Sequence, residues 1–290
     1  MTSNEAETKP KVKETVYGYV LASPFLLFLS MFLLFPLAYE IFMALFNSRL
    51  EFVGTEYLRR LLVDPSYVES LLNTALYVGV GVNVKMLLAL LLANTLNSID
   101  FTGKRLYKAL IMIPWVIPVV PSALNFRWML DADYGIVNQI LHNLGIAPVG
   151  WLINPHLALG SVIFIHIWTN LPFWSLILLS GLQSIPVDLY DAVKVDGAGS
   201  WQGFRHLTLP LMRRLYLICT VLSTVWTMGD FGIIWALTKG GPANATQIIA
   251  TNAYRQAFEF GEFGYAASMF LFVLPILGIL VILLLRLLRE

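Results

Sequence analysis

The chain has 290 residues, 58% hydrophobic and 13% charged, with a formal net charge of +1 and a mean hydropathy of +0.72. Soluble domains carry about 25% charged residues, so this composition identifies an integral membrane protein. It shows no basic patch interleaved with aromatics of the kind that grips nucleic acid. Cys219 is its one cysteine, which excludes a disulfide framework or a thiolate metal site.

Six apolar stretches reach the roughly 20 residues needed to span hydrocarbon. They lie near 17–46, 68–97, 106–130, 157–184, 212–237 and 264–288. The pattern predicts an all-α membrane protein of six transmembrane helices, one domain over 16–290 behind a polar tail at 1–15. The first stretch follows Lys9, Lys11 and Lys13. It is longer than a signal h-region and lacks a small-residue cleavage site, so it reads as a retained span. Basic residues set the orientation. With the N-terminus inside, the inner segments hold Lys9, Lys11, Lys13, Lys104, Arg105, Lys108, Lys194, Arg205, Arg213, Arg214, Arg286 and Arg289. The outer ones hold Arg49, Arg59, Arg60, Lys239 and Arg255. Both termini are expected in the cytoplasm.

Within the second stretch, Gly79 and Gly81 are expected to allow close helix packing. Lys85 is expected to snorkel toward the cytoplasmic side rather than act as a ligand. Pro114, Pro118 and Pro121 interrupt the third stretch. Each removes a backbone donor, so this helix is either a kinked packing element or a flexible pathway lining.

Polar residues inside spans are costly and are functional candidates. His166, Thr169, Asn170 and Phe173 fall on one face of the fourth stretch, and Ser223, Thr227 and Asp230 share a face of the fifth beside Trp226. Both faces suit a sugar, which needs hydroxyl-directed hydrogen bonds and aromatic surface. His166, Asn170, Phe173, Thr227 and Asp230 are the candidate substrate pathway. Thr169 and Thr227 also fit a role as interhelical glue. With Asp230 and a neutral His166 as the noted groups at this depth, a neutral solute is favoured over an anion.

Between the fourth and fifth stretches lies a polar island, Asp191 to Pro210. Residues 185–211 read as two short helices about a glycine turn. Pro186 and Asp188 start the first, Gly197 and Gly199 break it, and Ser200 is the expected N-cap of the second. An amphipathic helix lying on lipid headgroups and a cytoplasmic docking element both fit this pattern.

The residues here resemble a known family. Asp191-Ala192-Val193, three residues, Gly197, nine residues, then Leu207-Thr208-Leu209-Pro210 is similar to the signature loop of ABC importer permeases, E-A-A, three residues, G, nine residues, I-x-L-P. FVGTEY, DPSY and NTALY upstream, with LTKGGPANAT and AYRQAF downstream, resemble the binding-protein-dependent sugar permeases of the maltose and glycerol-3-phosphate type. Asp191 departs from the pattern by one methylene. The resemblance implies a heterodimer with a second permease, two ATP-binding subunits that hold ATP and Mg²⁺, and an extracytoplasmic solute-binding protein, in a bacterial or archaeal cytoplasmic membrane. It implies that Asp191, Ala192, Val193, Asp196, Gly197, Ala198 and Trp201 dock the ATP-binding subunit, with the outer segments GGPANAT and Asn143–Trp151 facing the binding protein. No G-x-x-x-x-G-K-[ST] phosphate loop occurs, so ATP hydrolysis is expected on a partner chain and this chain is not itself an enzyme. No cofactor or metal site is expected. The alternatives are a subunit for glycerol 3-phosphate or a related polyol, and a proton-coupled secondary transporter using Asp230 and His166.

Overall fold

The computed structural model describes residues 12–47, 49–98 and 104–289. Most of the expected tail at 1–15, including Lys9 and Lys11, lies outside the described residues. The described chain is helical, its helices being α1 Val12–Leu29, α2 Phe35–Leu45, α3 Glu56–Val63, α4 Pro65–Ser98, α5 Lys104–Ile111, α6 Ile113–Val116, α7 Val119–Met129, α8 Ile136–Asn143, α9 Pro155–Gln183, α10 Val187–Val195, α11 Ser200–Gly203, α12 Leu209–Met228, α13 Gly232–Leu237, α14 Ile249–Tyr254, α15 Phe263–Leu271 and α16 Val273–Arg289.

Four helical runs are long and apolar enough to cross a membrane, namely Val16–Leu45, Pro65–Ser98, Pro155–Gln183 and Phe263–Arg289. They coincide with the first, second, fourth and sixth apolar stretches. The other two stretches are broken. Over the third, the chain unwinds at Ile117 and Pro118, whose ψ angles of 128° and 142° are extended. Pro118 cannot donate to the preceding turn, and its ring disfavours helix at Ile117. Over the fifth, α12 stops at Gly229 and α13 resumes at Gly232, leaving Asp230 in the gap.

A central pair, α4 against α9, organises the packing. Val82, Met86, Ala89, Ala93 and Leu96 recur at three- and four-residue spacing on α4 and meet Trp174, Leu178 and Leu182 of α9, with Met212 and Cys219 of α12. Small residues here let the backbones approach, which favours association where lipid removes the hydrophobic drive. Arg214 reaches from α12 to the last carbonyls of α16, with Nε 2.8 Å from Leu287 O. It thereby satisfies acceptors that a helix C-terminus leaves unpaired. The short α3 is pinned by Arg60, which pairs with Glu262 at 2.7 Å and lies 4.0 Å over the Tyr265 ring, while Tyr265 donates to Asp64.

The loop after α7 is held by one amide. Asn138 Nδ2 donates to the carbonyls of Asp131, Ala132 and Val149, and its Oδ1 accepts from Val149 N and Trp151 Nε1. The Asp131 carboxylate accepts from the N–H groups of Asp133 and Tyr134, and these bonds hold its pKa below the usual carboxylate range.

The close approaches differ from those expected at Gly79 and Gly81. A Cβ on Gly79 would meet nothing within 4 Å, and one on Gly81 would make an ordinary 3.5 Å contact with His166. Tight contact occurs instead at Gly264, where a Cβ would lie 2.6 Å from Phe46 O and 2.7 Å from Met43 O. It occurs also at Gly181, where the nearest atom is the far end of the Leu215 side chain. Backbone cannot yield as a leucine tip can. Gly264→Ala is therefore expected to destabilise the purified protein by about 1–3 kcal/mol, with a lower thermal midpoint than Gly181→Ala. Equal midpoints would contradict this account of the α2–α15 contact.

Candidate functional site

The two polar faces read from the sequence converge on one cavity. Its volume is about 170 Å³, and its walls include Lys85, His166, Asn170, Trp174, Trp226, Thr227 and Asp230. The α4–α9 pairing brings Lys85 to His166, and the gap between α12 and α13 turns Asp230 toward the same ring. His166 Nδ1 lies 3.0 Å from Asp230 Oδ2, Lys85 Nζ lies 2.9 Å from His166 Nε2, and Tyr77 Oη donates to Asp230 Oδ2 at 2.6 Å.

One protonation pattern lets Lys85 and Asp230 both stay charged. An ammonium has no acceptor, so Nε2 must accept from Lys85, which leaves the proton on Nδ1 to be donated to Asp230. His166 is then neutral, and the buried charges of Lys85 and Asp230 offset each other through its ring.

Lys85 corrects the sequence expectation. It does not snorkel to an aqueous surface but is 1% exposed inside the helix bundle. The physical reason is that His166 and Thr227, the latter 3.4 Å away, supply polar partners within reach of its stem. The absence of a cation at this depth, used above to favour a neutral solute, therefore does not hold. Charge compensation takes its place.

The remaining pathway candidates separate. Asn170 borders the cavity and donates to His166 O at 2.9 Å. Thr169 is buried and bonds its own helix at Ile165 O, so it ties no second helix. Thr227 donates to Ser223 O at 2.7 Å. Phe173 sits beside the cavity and stacks between Trp115, at 5.0 Å and 18°, and Trp226, at 5.5 Å and 29°. Trp174 closes on Trp226 at 5.5 Å. Sequence reading did not select Tyr77, Lys85, Trp115 or Trp174. The proline spacing that put the third stretch in question was the available signal for Trp115.

The island forms α10, a turn at Gly197 with φ of +79°, and α11. A positive φ suits glycine, which has no Cβ to clash. The expected N-cap is displaced by one residue. Gly199 caps α11, and its N–H donates to Gln202 Oε1 at 3.0 Å, while Ser200 is already helical. The second helix does not stop before Pro210 but runs from α11 through a π turn, Phe204–Thr208, into α12.

Asp191 is exposed and pairs with Lys194 at 3.0 Å. Ala192 and Asp196 face outward, and Trp201 is 68% exposed with its ring stacked on Phe204. Val193 and Ala198 are half-buried and border a cleft of about 620 Å³ between the island and the ends of α4 and α9. The outward apolar positions of α10 include Val187 and Val195, the latter 87% exposed, with Leu189 less so. The spacing of Val187 and Val195 with Asp191, four residues each way, was the missed signal.

Comparison with known proteins identifies the family. A family model described as a binding-protein-dependent transport system inner membrane component matches residues 85–289. The trehalose/maltose transport system permease protein of Thermococcus litoralis is 33% identical over 278 residues, covering 93% of this chain and 94% of that protein. The lactose transport system permease protein of Rhizobium radiobacter is 33% identical over 262 residues, covering 88% of each. In fold, the chain is similar to one from the crystal structure of a bacterial alginate ABC transporter, with a TM-score of 0.82 at 21% identity, covering 97% of this chain and 96% of that one. The chain belongs to the binding-protein-dependent transport system inner membrane component family, the permease subunits of ABC transporters.

Proposed function

We propose that the chain is one of two transmembrane subunits of an ATP-driven importer that takes a neutral di- or oligosaccharide from an extracytoplasmic solute-binding protein into the cytoplasm. One observation carries the substrate reading. The cavity joins a charge-compensated polar wall, Lys85–His166–Asp230 with Asn170 and Thr227, to the indole rings of Trp174 and Trp226, the latter backed by the Phe173–Trp115 stack. Hydroxyl groups find donors and acceptors on the first, and sugar C–H faces find apolar aromatic surface on the second. Relatives named for trehalose/maltose, lactose and sulfoquinovosyl glycerol support a carbohydrate. Glycerol 3-phosphate is disfavoured because Asp230 offsets Lys85, the lysine of the cavity wall among the described residues.

The broken segments over Lys104–Met129 and Leu209–Leu237 would complete six crossings, with both termini cytoplasmic. Within the described chain the apolar run Val16–Leu45 is exposed over most of its length, Ala44 near the α15 contact being buried, which suits a neighbouring second permease or lipid. In this reading the island docks into a cleft of an ATP-binding subunit, where ATP and Mg²⁺ reside. Val187, Val195 and Trp201 supply apolar anchors beside Asp191, Ala192 and Asp196. Closure of the ATP-binding subunits then moves α10 and α11. Because α11 continues into α12, the displacement reaches Thr227 and Asp230 at the cavity. The segments GGPANAT and Asn143–Trp151 meet the binding protein.

A proton-coupled transporter is the competing reading, since His166 and Asp230 are in contact. The two separate cleanly in proteoliposomes containing both permeases, the ATP-binding subunits and the loaded binding protein. Uptake is expected to require ATP and to survive collapse of the proton gradient. Uptake that persists without ATP and stops with the gradient would overturn the proposal.

Docking makes its own demand on Val195. Placing a charge at an apolar anchor costs several kcal/mol of desolvation. Val195→Asp is expected to reduce co-purification of the ATP-binding subunits at least about tenfold, while Gly197→Asn, which tolerates positive φ, retains it. Undiminished co-purification of Val195→Asp would place the docking surface elsewhere.

A further inference from the structure

Charge compensation accounts for the presence of Lys85 but not for its direction. A lysine serving as counter-ion alone would contact the Asp230 carboxylate. Here His166 stands between them, and the recorded side-chain donors to Asp230 Oδ2 are His166 and Tyr77. Lys85 instead borders the cavity while being 1% exposed.

Its hydrogens can be assigned. Nζ carries three. One meets His166 Nε2 at 2.9 Å and a second meets Thr227 Oγ1 at 3.4 Å, with no third acceptor among the described residues. A buried ammonium hydrogen without an acceptor is costly, so the cavity contents must supply one. The neighbouring hydroxyls are committed, and the Asn170 amide is committed in part. The Thr227 hydroxyl donates to Ser223 O and the Tyr77 hydroxyl to Asp230, while Asn170 has one amide hydrogen engaged at His166 O.

We propose that Lys85 is a specificity-determining residue of the permease, its remaining N–H donating to a hydroxyl or ring oxygen of the transported solute. This rests on the carbohydrate reading above. A site that hydrogen-bonds a substrate oxygen rejects the analogue lacking it, because its own buried group is then left unpaired. Selection thus takes place within the membrane as well as at the binding protein.

The test uses the full assembly in proteoliposomes, with maltose, trehalose and lactose and their monodeoxy derivatives as probes, at saturating loaded binding protein. Wild type is expected to move a parent sugar at least about tenfold faster than one of its monodeoxy forms, the discrimination expected of a hydrogen bond to a charged group. Lys85→Met is expected to abolish that ratio by slowing the parent alone, and Lys85→Arg to keep it. The double variant Lys85→Met with Asp230→Asn is again charge-balanced but lacks the donor, and its ratio should stay collapsed.

Proportional slowing of every sugar by Lys85→Met, or wild-type discrimination in the double variant, would reduce Lys85 to a structural counter-ion and overturn the proposal. So would a wild type that does not discriminate against any monodeoxy form. An assembly moving no sugar at all would overturn the carbohydrate reading and this role together.

Discussion

Lys85, His166 and Asp230 bury two opposite charges with an imidazole between them, at 2.9 and 3.0 Å. The three residues come from α4, α9 and the gap after α12, so their hydrogen bonds fix where these elements meet. Such a buried pair adds little net stability, because desolvation offsets the attraction. Losing one partner is different: an uncompensated buried charge costs about 3–5 kcal/mol. The relay therefore works chiefly as a constraint. It holds the α12–α13 break toward the cavity and keeps the polar residues in one wall with the rings of Trp174 and Trp226.

Breaks and continuities in the helices follow from local chemistry and bear on how movement could travel. Pro36 and Pro210 each lie just after a π turn, Ser30–Leu34 and Phe204–Thr208. Proline clashes with the carbonyl four residues earlier, and a widened turn relieves that clash without ending the helix. In the second case the result is an unbroken path from α11 on the polar island to the cavity end of α12. Pro118 has no such turn before it, and the helix opens at Ile117. The chain thus pairs a stiff element beneath the cavity with a broken one, carrying Trp115 and Val119, beside it.

Much of this was legible in the sequence. Apolar runs gave four of the long helices nearly to the residue, and period-3.6 spacing selected His166, Asn170, Thr227 and Asp230 before they were seen together. The island's glycine turn was legible because Gly197 serves a positive φ. What escaped the sequence were tertiary facts. Lys85 looked like a snorkelling residue because its stem is long and its polar partners sit 81 and 142 positions away. Gly264 gave no sign of its contact with the carbonyls of Met43 and Phe46, since close approach depends on a distant helix end. Ser200 misled because serine is the stronger cap by propensity, yet the Gln202 side chain satisfies the Gly199 N–H instead. Val195 was passed over because an exposed valine on a cytoplasmic loop has no meaning until the outward face of α10 is known.

The account turns on the neutral, Nδ1-protonated state of His166 between two charges. Nitrogen-15 NMR of the histidine-labelled assembly measures this directly, with the His166 resonances assigned by their loss in His166→Gln. At neutral pH the account predicts one protonated ring nitrogen, Nδ1, in a strong hydrogen bond, and an unprotonated Nε2 that accepts one. Two protonated nitrogens, or a proton on Nε2 alone, would contradict the charge-compensated relay on which the cavity is built.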